Sequence, residues 1–284
     1  TRLNRRTVRQ PPPGDQRVLL VRLPCNPIFP IGPVYLADHL HKQFPQIEQR
    51  ILDLAAVPLL DVEAVLLEQI GDGLAGRCVL QMGTIGVQES EALAAAVQQR
   101  GGRYLEAPVL RSRPEALAGT LQLMAGGPDD LFAQALPLLR DLAAEPLHLG
   151  PVGSGMATKL ALNQLIASLT HSFSLALHVV QQAGVEVEAF MAILRDSALY
   201  APTFDKKLAK ELADDYSNPN FPTAHLRKDL ALFITAAQQA GLNSEGLSGL
   251  AALLERSSAA GPDVLDYCAL HQLTAGRTAA AGPD

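Results

Sequence analysis

The sequence predicts an α/β domain with a mainly parallel sheet, followed by an all-α domain, with a long helix between them. Short β-rich runs alternate with helical runs up to about residue 150, the pattern of strand–helix–strand units. One mostly apolar run then covers residues 156–183, which as a helix at ~1.5 Å per residue would span on the order of 40 Å. Only helical patterns follow it. The expected boundaries are a loose tail over 1–16, the α/β domain over 17–150 and the helical domain over 151–284.

Each element has its own local warrant. RVLLVRL (17–23) and RILDLAAV (50–57) are short apolar runs that read as buried strands, with a proline-rich loop and a helix around VYLADHLHKQF between them. DVEAVLLEQI (61–70) is helical and should stop at Gly71, Gly73 and Gly76. RCVLQMG (77–83) is a third strand. QESEALAAAVQQ (88–99) is a helix ended by Gly101 and Gly102. RYLEAPVL (103–110) and TLQLMAGG (120–127) read as strands. Pro128 opens a helix through Leu142, with Pro137 inside it as a potential kink. EPLHLG (145–150) is a last short strand. The run over 156–183 is apolar nearly all round, so it should be buried on several sides, by its own domain and by a second copy of the chain. Further helices are expected at about 187–197, 202–213, 223–240, 246–258 and 263–274.

Composition narrows the function classes. Hydrophobic residues at 48% and charged residues at 18% suit a soluble globular protein with a sizeable core. The net charge of −6 argues against nucleic acid as the main partner. No run reaches 18 uninterrupted apolar residues, so no membrane-spanning helix and no membrane partner are expected. Cys25, Cys78 and Cys268 are widely spaced and odd in number. They fit neither a metal pattern nor a disulfide framework, and they make the cytoplasm the default compartment. The first residues, TRLNRRTVRQPPPG, lack the apolar core of a secretory signal and read as a loose tail of a fragment or processed form.

GPVGSGMATKLALN (150–163) carries the chemistry. It puts Lys159 in the first turns of an apolar helix, behind Gly153 and Gly155 and four residues before Asn163. Residues four apart share a helix face. The glycines let the chain turn tightly and let a ligand approach, and a helix start favours anions. An ammonium donating to a substrate oxygen beside an orienting amide fits that arrangement. So does a lysine that snorkels to solvent with an asparagine bonded locally.

This stretch resembles the Gly-x-Gly-x-x-x-Lys-x-x-x-Asn signature of the β-hydroxyacid dehydrogenases, the family of 3-hydroxyisobutyrate dehydrogenases and glyoxylate or succinic semialdehyde reductases. QMGTIG (81–86) resembles that family's Asp-Met-Ser-Thr-Ile-Ser segment, and GGRYLEAPVLRS (101–112) its Asp-Ala-Pro-Val-Ser-Gly-Gly strand and loop. GTLQLMAGG and FPTAHLRKDL (221–230) follow in the family's order, so the resemblance covers about residues 65–275. It implies a Rossmann-like first domain, NAD or NADP as cofactor, a small-molecule substrate and a homodimer. It further implies Lys159 as general acid/base with Asn163 orienting it. Gly83, Thr84, Arg111 and Ser112 would lie at the substrate, and Met82, Thr84, Phe221 and Lys228 at the cofactor; no metal is implied. For Phe221 core packing fits equally, and for Lys228 so does an exposed lysine beside Asp229.

Three of the chain's departures from the family bear on the site. Gly83 replaces the motif's serine, so that hydroxyl is absent. Leu110-Arg111-Ser112 stands where Ser-Gly-Gly is usual, and Arg111 has the geometry to bind a carboxylate bidentately or to fill space beside the substrate. At the start, the Gly-x-Gly-x-x-Gly cradle for the cofactor pyrophosphate is replaced by PCNPIFPIGP, whose prolines lack N–H donors. Asp53, in the second strand, stands near where a ribose-binding acid belongs, or simply ends the strand. Residues 17–60 resemble the start of a cobalamin-binding domain of radical S-adenosylmethionine enzymes, yet the chain has neither a Cys-x-x-x-Cys-x-x-Cys cluster nor an Asp-x-His-x-x-Gly motif. The leading reading is an NAD(P)-dependent oxidoreductase of small hydroxy acids, aldehydes or keto acids. A non-catalytic dehydrogenase-like scaffold and a corrinoid-binding module stand behind it.

Overall fold

The computed structural model describes residues 17–22, 48–53, 67, 71–260 and 262–275. The loose tail over 1–16, the expected helix around 34–44, the proline-rich loop and all of the 61–70 helix but Leu67 lie outside the described residues. The chain divides into two compact units between Lys159 and Leu160.

The first unit is α/β. Its strands β1 (Arg17–Arg22), β2 (Glu48–Asp53), β3 (Cys78–Gln81) and β4 (Arg103–Glu106) form a parallel sheet in the order β2-β1-β3-β4. Helix α1 (Val87–Gln99) connects β3 to β4. It ends in a Schellman arrangement, with Gly102 N–H donating to the Val97 carbonyl, Gly101 N–H to that of Gln98, and Gly101 at φ +72°. Strand side chains alternate between two apolar clusters. Val79 and Tyr104 join Leu74, Leu93, Val97 and Met156; Leu80 and Leu105 join Leu123, Leu131 and Leu139.

Residues 103–110 do not form one strand. Pro108 has no N–H for the ladder, and the chain bends there into β5 (Val109–Leu110). With β6 (Gln122–Ala125) and β7 (Leu147–His148) it makes a second sheet, β5-β6-β7, antiparallel across β5/β6 and parallel across β6/β7. Between β5 and β6 lies a short helix, α2 (Arg113–Leu117), which the apolar pattern does not announce. Helix α3 (Asp129–Arg140) runs through Pro137 without a break in its assignment.

Helix α4 (Ser154–Gln182) begins in the first unit and continues into the second. By length and composition alone it could cross a bilayer, because scattered polar residues do not lower its mean hydropathy below 1.2 over its most apolar window. The expectation of no such helix counted uninterrupted apolar residues and so missed it. Ala167, Phe173 and Leu177 of α4 are buried in the core of the helical unit, as in a central helix of a folded domain.

The second unit adds α5 (Val187–Arg195), α6 (Pro202–Ala213), α7 (Thr223–Gln239), α8 (Ser248–Ala260) and α9 (Leu270–Thr274). The single helix expected over 263–274 is broken. Asp266 instead forms an isolated antiparallel bridge with Pro222, with Thr223 N–H donating to the Leu265 carbonyl and Tyr267 N–H to that of Phe221. Asp266 enforces the break: its carboxylate accepts from Cys268 N–H, from Asn220 N–H and from the buried Lys207 ammonium at 2.7 Å. The same ammonium sits 4.4 Å from the centre of the Tyr267 ring.

Glu211, one turn beyond Lys207 on α6, is also buried, and burial pushes its carboxyl up to about 8, against the pull of Lys207. A carboxyl whose pKa is higher folded than unfolded stabilises fully below the unfolded value, and that contribution is lost as pH rises through about 8. Thermal unfolding of the protein should therefore show a larger fall in Tm between pH 5 and pH 9 than that of a Glu211→Gln variant. Equal falls would show that Glu211 ionises freely in the folded state.

Candidate active site

The parallel sheet sets the first part of the site. From β1 the chain goes to β2 on one side, while β3 and β4 lie on the other, so the strand order reverses between β1 and β3. Ligands of open parallel sheets bind beyond the carboxyl ends of the strands at such a reversal. Met82, Gly83 and Thr84 follow β3 directly at that end, all half-buried, with Met82 packed on the core below. Gln81, the last residue of β3, is 1% exposed, and its Nε2 has no hydrogen-bond partner among the described residues. These residues therefore stand where a ligand of such a sheet binds; the loop that follows β1 lies outside the described residues. Asp53 ends β2, in register with Arg22.

The loop after β5 is fixed locally. Arg111 has φ +87°, a left-handed conformation that costs an arginine of order 1 kcal/mol or more. Its guanidinium donates to the Thr120 carbonyl at 3.0 Å. Ser112 starts α2, and its N–H and hydroxyl both donate to the Glu115 carboxylate at 3.0 Å. The Ser-x-x-Glu spacing with Pro114 in the first turn is the sequence signal for α2 that apolar periodicity misses.

The start of α4 holds Lys159. Gly153 precedes the helix at φ +99°, and Gly155 has no room for a side chain: a Cβ there would lie 2.5 Å from the Met124 carbonyl. The acceptor for this helix start is Glu106, at the end of β4 and fully buried. Its Oε1 accepts from the N–H groups of Gly153 (2.9 Å), Gly155 (2.8 Å) and Met156 (3.1 Å). Its Oε2 accepts from the Ser90 hydroxyl at 2.5 Å, and Ser90 shares a further hydrogen bond with Tyr104. Burial pushes the Glu106 carboxyl upward, while Ser90 and the three amides pull it back. Glu106 was not singled out from the sequence, although it closes the apolar strand RYLE and stands at the acid of the Asp-Ala-Pro-Val motif. Lys159, half-buried, follows Met156 by three residues.

In the second unit, Asn163 is 1% exposed and donates through Nδ2 to Asp229 at 2.6 Å. Its Oδ1 has no hydrogen-bond partner among the described residues, which leaves an acceptor. The other oxygen of the buried Asp229 lies 2.6 Å from the ammonium of Lys228, whose side chain is half-exposed. Asp229 thus fixes two of the expected residues, a role its place in RKDL did not reveal. Phe221 is partly buried, packs on the core cluster that includes Tyr267, and stacks near-parallel with His225. Burial first, and the Lys228 charge second, lower the His225 pKa.

A parallel sheet whose strand order reverses beside a Met-Gly-Thr loop, continued by a glycine-flanked lysine helix into a helical unit, defines the class of two-part nicotinamide-dependent dehydrogenases. Comparison with known proteins gives the family. Residues 57–163 match the NAD-binding domain of 6-phosphogluconate dehydrogenase, and residues 153–274 match the NAD-binding model of NADP-dependent 3-hydroxyisobutyrate dehydrogenase. The chain is 30% identical over 219 residues to 2-hydroxy-3-oxopropionate reductase of Escherichia coli, covering 74% of this chain and 73% of that one. It is 27% identical over 216 residues to glyoxylate/succinic semialdehyde reductase 1 of Arabidopsis thaliana, covering 76% and 73%. In fold it resembles the 3-hydroxyisobutyrate dehydrogenase of Mycobacterium tuberculosis solved with L-serine, at TM-score 0.77 and 19% identity, over 91% of this chain and 98% of that one. The chain belongs to the β-hydroxyacid dehydrogenase family, NAD(P)-dependent oxidoreductases that act on small hydroxy acids and their carbonyl counterparts.

The packing of the α4 start is directly testable. Gly155→Ala sets a Cβ against backbone and should cost about 1–3 kcal/mol, seen as a lower Tm. Gly249→Ala, in α8 with open space around it, should leave Tm unchanged or raise it slightly. Equal Tm values for the two variants would contradict the close approach of α4 to Glu106.

Proposed function

We propose that this chain reduces a small carboxylate-bearing aldehyde or keto acid, or oxidises the matching alcohol, with Lys159 as the general acid/base. The observation that carries the reading is Lys159 in the glycine-flanked start of α4, followed on the same helix by an Asn163 that Asp229 holds by its amide nitrogen. NADPH or NADH, when bound, supplies a hydride to the carbonyl carbon. Lys159 then donates a proton to the carbonyl oxygen as negative charge develops there, and accepts it back in the oxidation. Asn163 orients the Lys159 ammonium through its remaining acceptor. Met82, Thr84, Phe221 and Lys228 hold the cofactor; Gly83, Thr84, Arg111 and Ser112 face the substrate. The names of the relatives suggest glyoxylate, succinic semialdehyde and 2-hydroxy-3-oxopropionate as first substrates to assay. The roles are divided between an α/β domain over 17–150 and a helical domain over 151–284.

Titration with NADPH and with NADH should give micromolar binding, which Lys159→Ala preserves while its kcat falls about 10²–10⁴-fold. Absence of binding at millimolar cofactor would leave only the scaffold reading.

The proposal extends to a cytoplasmic homodimer without membrane or nucleic-acid partners. The support is a stripe on α4, in which Leu165, Leu175 and Val179 are about half-exposed or more on one face, interleaved with Ala161, Ser168 and Ser172. Such a stripe with small residues suits close packing against a second copy. Light scattering should give a dimer mass, and Leu165→Glu with Val179→Glu should give a monomer; an unchanged dimer would move the interface elsewhere.

A further inference from the structure

We propose that Glu106 is a positioning residue for Lys159: its buried carboxylate holds the first turn of α4 in the register from which the ammonium transfers its proton. The inference rests on the acid/base role proposed above for Lys159.

A helix start leaves backbone N–H groups without intrahelical acceptors. Most helices satisfy them with a side chain at their own N-cap. At α4 that place is Gly153, which has no side chain, and the hydroxyl of Ser154 donates away to the Pro151 carbonyl. The acceptor comes instead from 47 to 50 positions upstream, from the end of β4. One oxygen, Oε1, takes three N–H groups from four successive residues. That grip fixes both the rotation of the helix about its axis and its advance along it. Lys159 follows Gly155 by four and Met156 by three, so it projects from the same side, one turn on.

The surroundings leave the carboxylate one place to be. Glu106 and Gly126 exchange two backbone hydrogen bonds of 3.0 Å, and a Cβ on Gly126 would lie 2.5 Å from Oε1. A Cβ on Gly155 would lie 3.0 Å from the same atom. On the other side Ser90, itself tied to Tyr104, holds Oε2. The backbone of β4, the turn after β6 and the start of α4 therefore close on a single oxygen, so a change in the reach of residue 106 must move the helix that carries Lys159.

A double-mutant cycle separates positioning from plain stability, with NADPH and succinic semialdehyde as probes. Glu106→Asp keeps the charge but shortens the reach. It should lower kcat about 10–100-fold, as misplacement by ~1 Å does, with the NADPH KM unchanged within about twofold. In a Lys159→Ala background the same change should cost no further activity, because the group it positions is gone. Glu106→Gln keeps the length and an acceptor oxygen, and its amide can donate to Ser90; it should recover most of the kcat lost in Glu106→Asp. An equal fractional loss from Glu106→Asp with and without Lys159 would overturn the positioning role, as would a Gln variant as slow as the Asp variant. Should Glu106→Asp fail to fold, the Gln variant carries the test: near-full kcat is expected, and a folded Gln variant that loses tenfold or more would overturn the role. Full activity in Lys159→Ala alone would instead overturn the acid/base reading, and the positioning role with it.

Discussion

Three backbone N–H groups at the buried start of a helix need an acceptor, and the rest of the first unit is organised around supplying it. The acceptor is a carboxylate, Glu106, and a carboxylate can be buried only if its oxygens are saturated with donors. Gly153, Gly155 and Met156 satisfy one oxygen and Ser90 the other. Donors and acceptor each remove the other's penalty. The negative charge also lies at the positive end of the α4 dipole, where it is favoured. The glycines at 126 and 155 follow from this arrangement, because a side chain at either would occupy the space the carboxylate and backbone need, while Gly153 is required by its φ of +99°.

The helical unit solves the same problem in a second place. Lys207 and Asp266 are both buried, and each is affordable only with the other. Asp266 then has lone pairs left over, and they take the N–H groups of Asn220 and Cys268. The consequence is topological. Asp266 is held in a bridge to Pro222, which fixes Phe221 and the start of α7, and α7 in turn carries Lys228 and the Asp229 that grips Asn163. An ion pair remote in sequence from Asn163 thus belongs to the scaffold that holds it.

What the sequence made legible follows from the range of the forces involved. Strands β1 to β4, the Gly101–Gly102 stop and the long helix α4 are set by local apolar runs and backbone freedom, and they are readable by period and punctuation. Glu106 and Asp229 act across 47 and 66 positions, and no local pattern records that an acid will end up under a helix or against an amide. The helix expected over 263–274 failed for the same reason: its residues have helical propensity, but the buried Asp266 and the bridge to Pro222 outweigh it. The strand expected over 103–110 failed locally, at Pro108, where the missing N–H was in view.

The loop carrying Arg111 meets a constraint of its own. A left-handed arginine is a standing cost, offset here by the hydrogen bond to Thr120 and by the Ser112–Glu115 box that locks the next residue. The arginine is therefore held, not free. The bond that holds it runs from a charged guanidinium to a neutral carbonyl on an exposed surface, where water competes for both groups. Where the family's usual glycine has no side chain, this chain holds a charged one in a left-handed backbone by bonds from within its own loop.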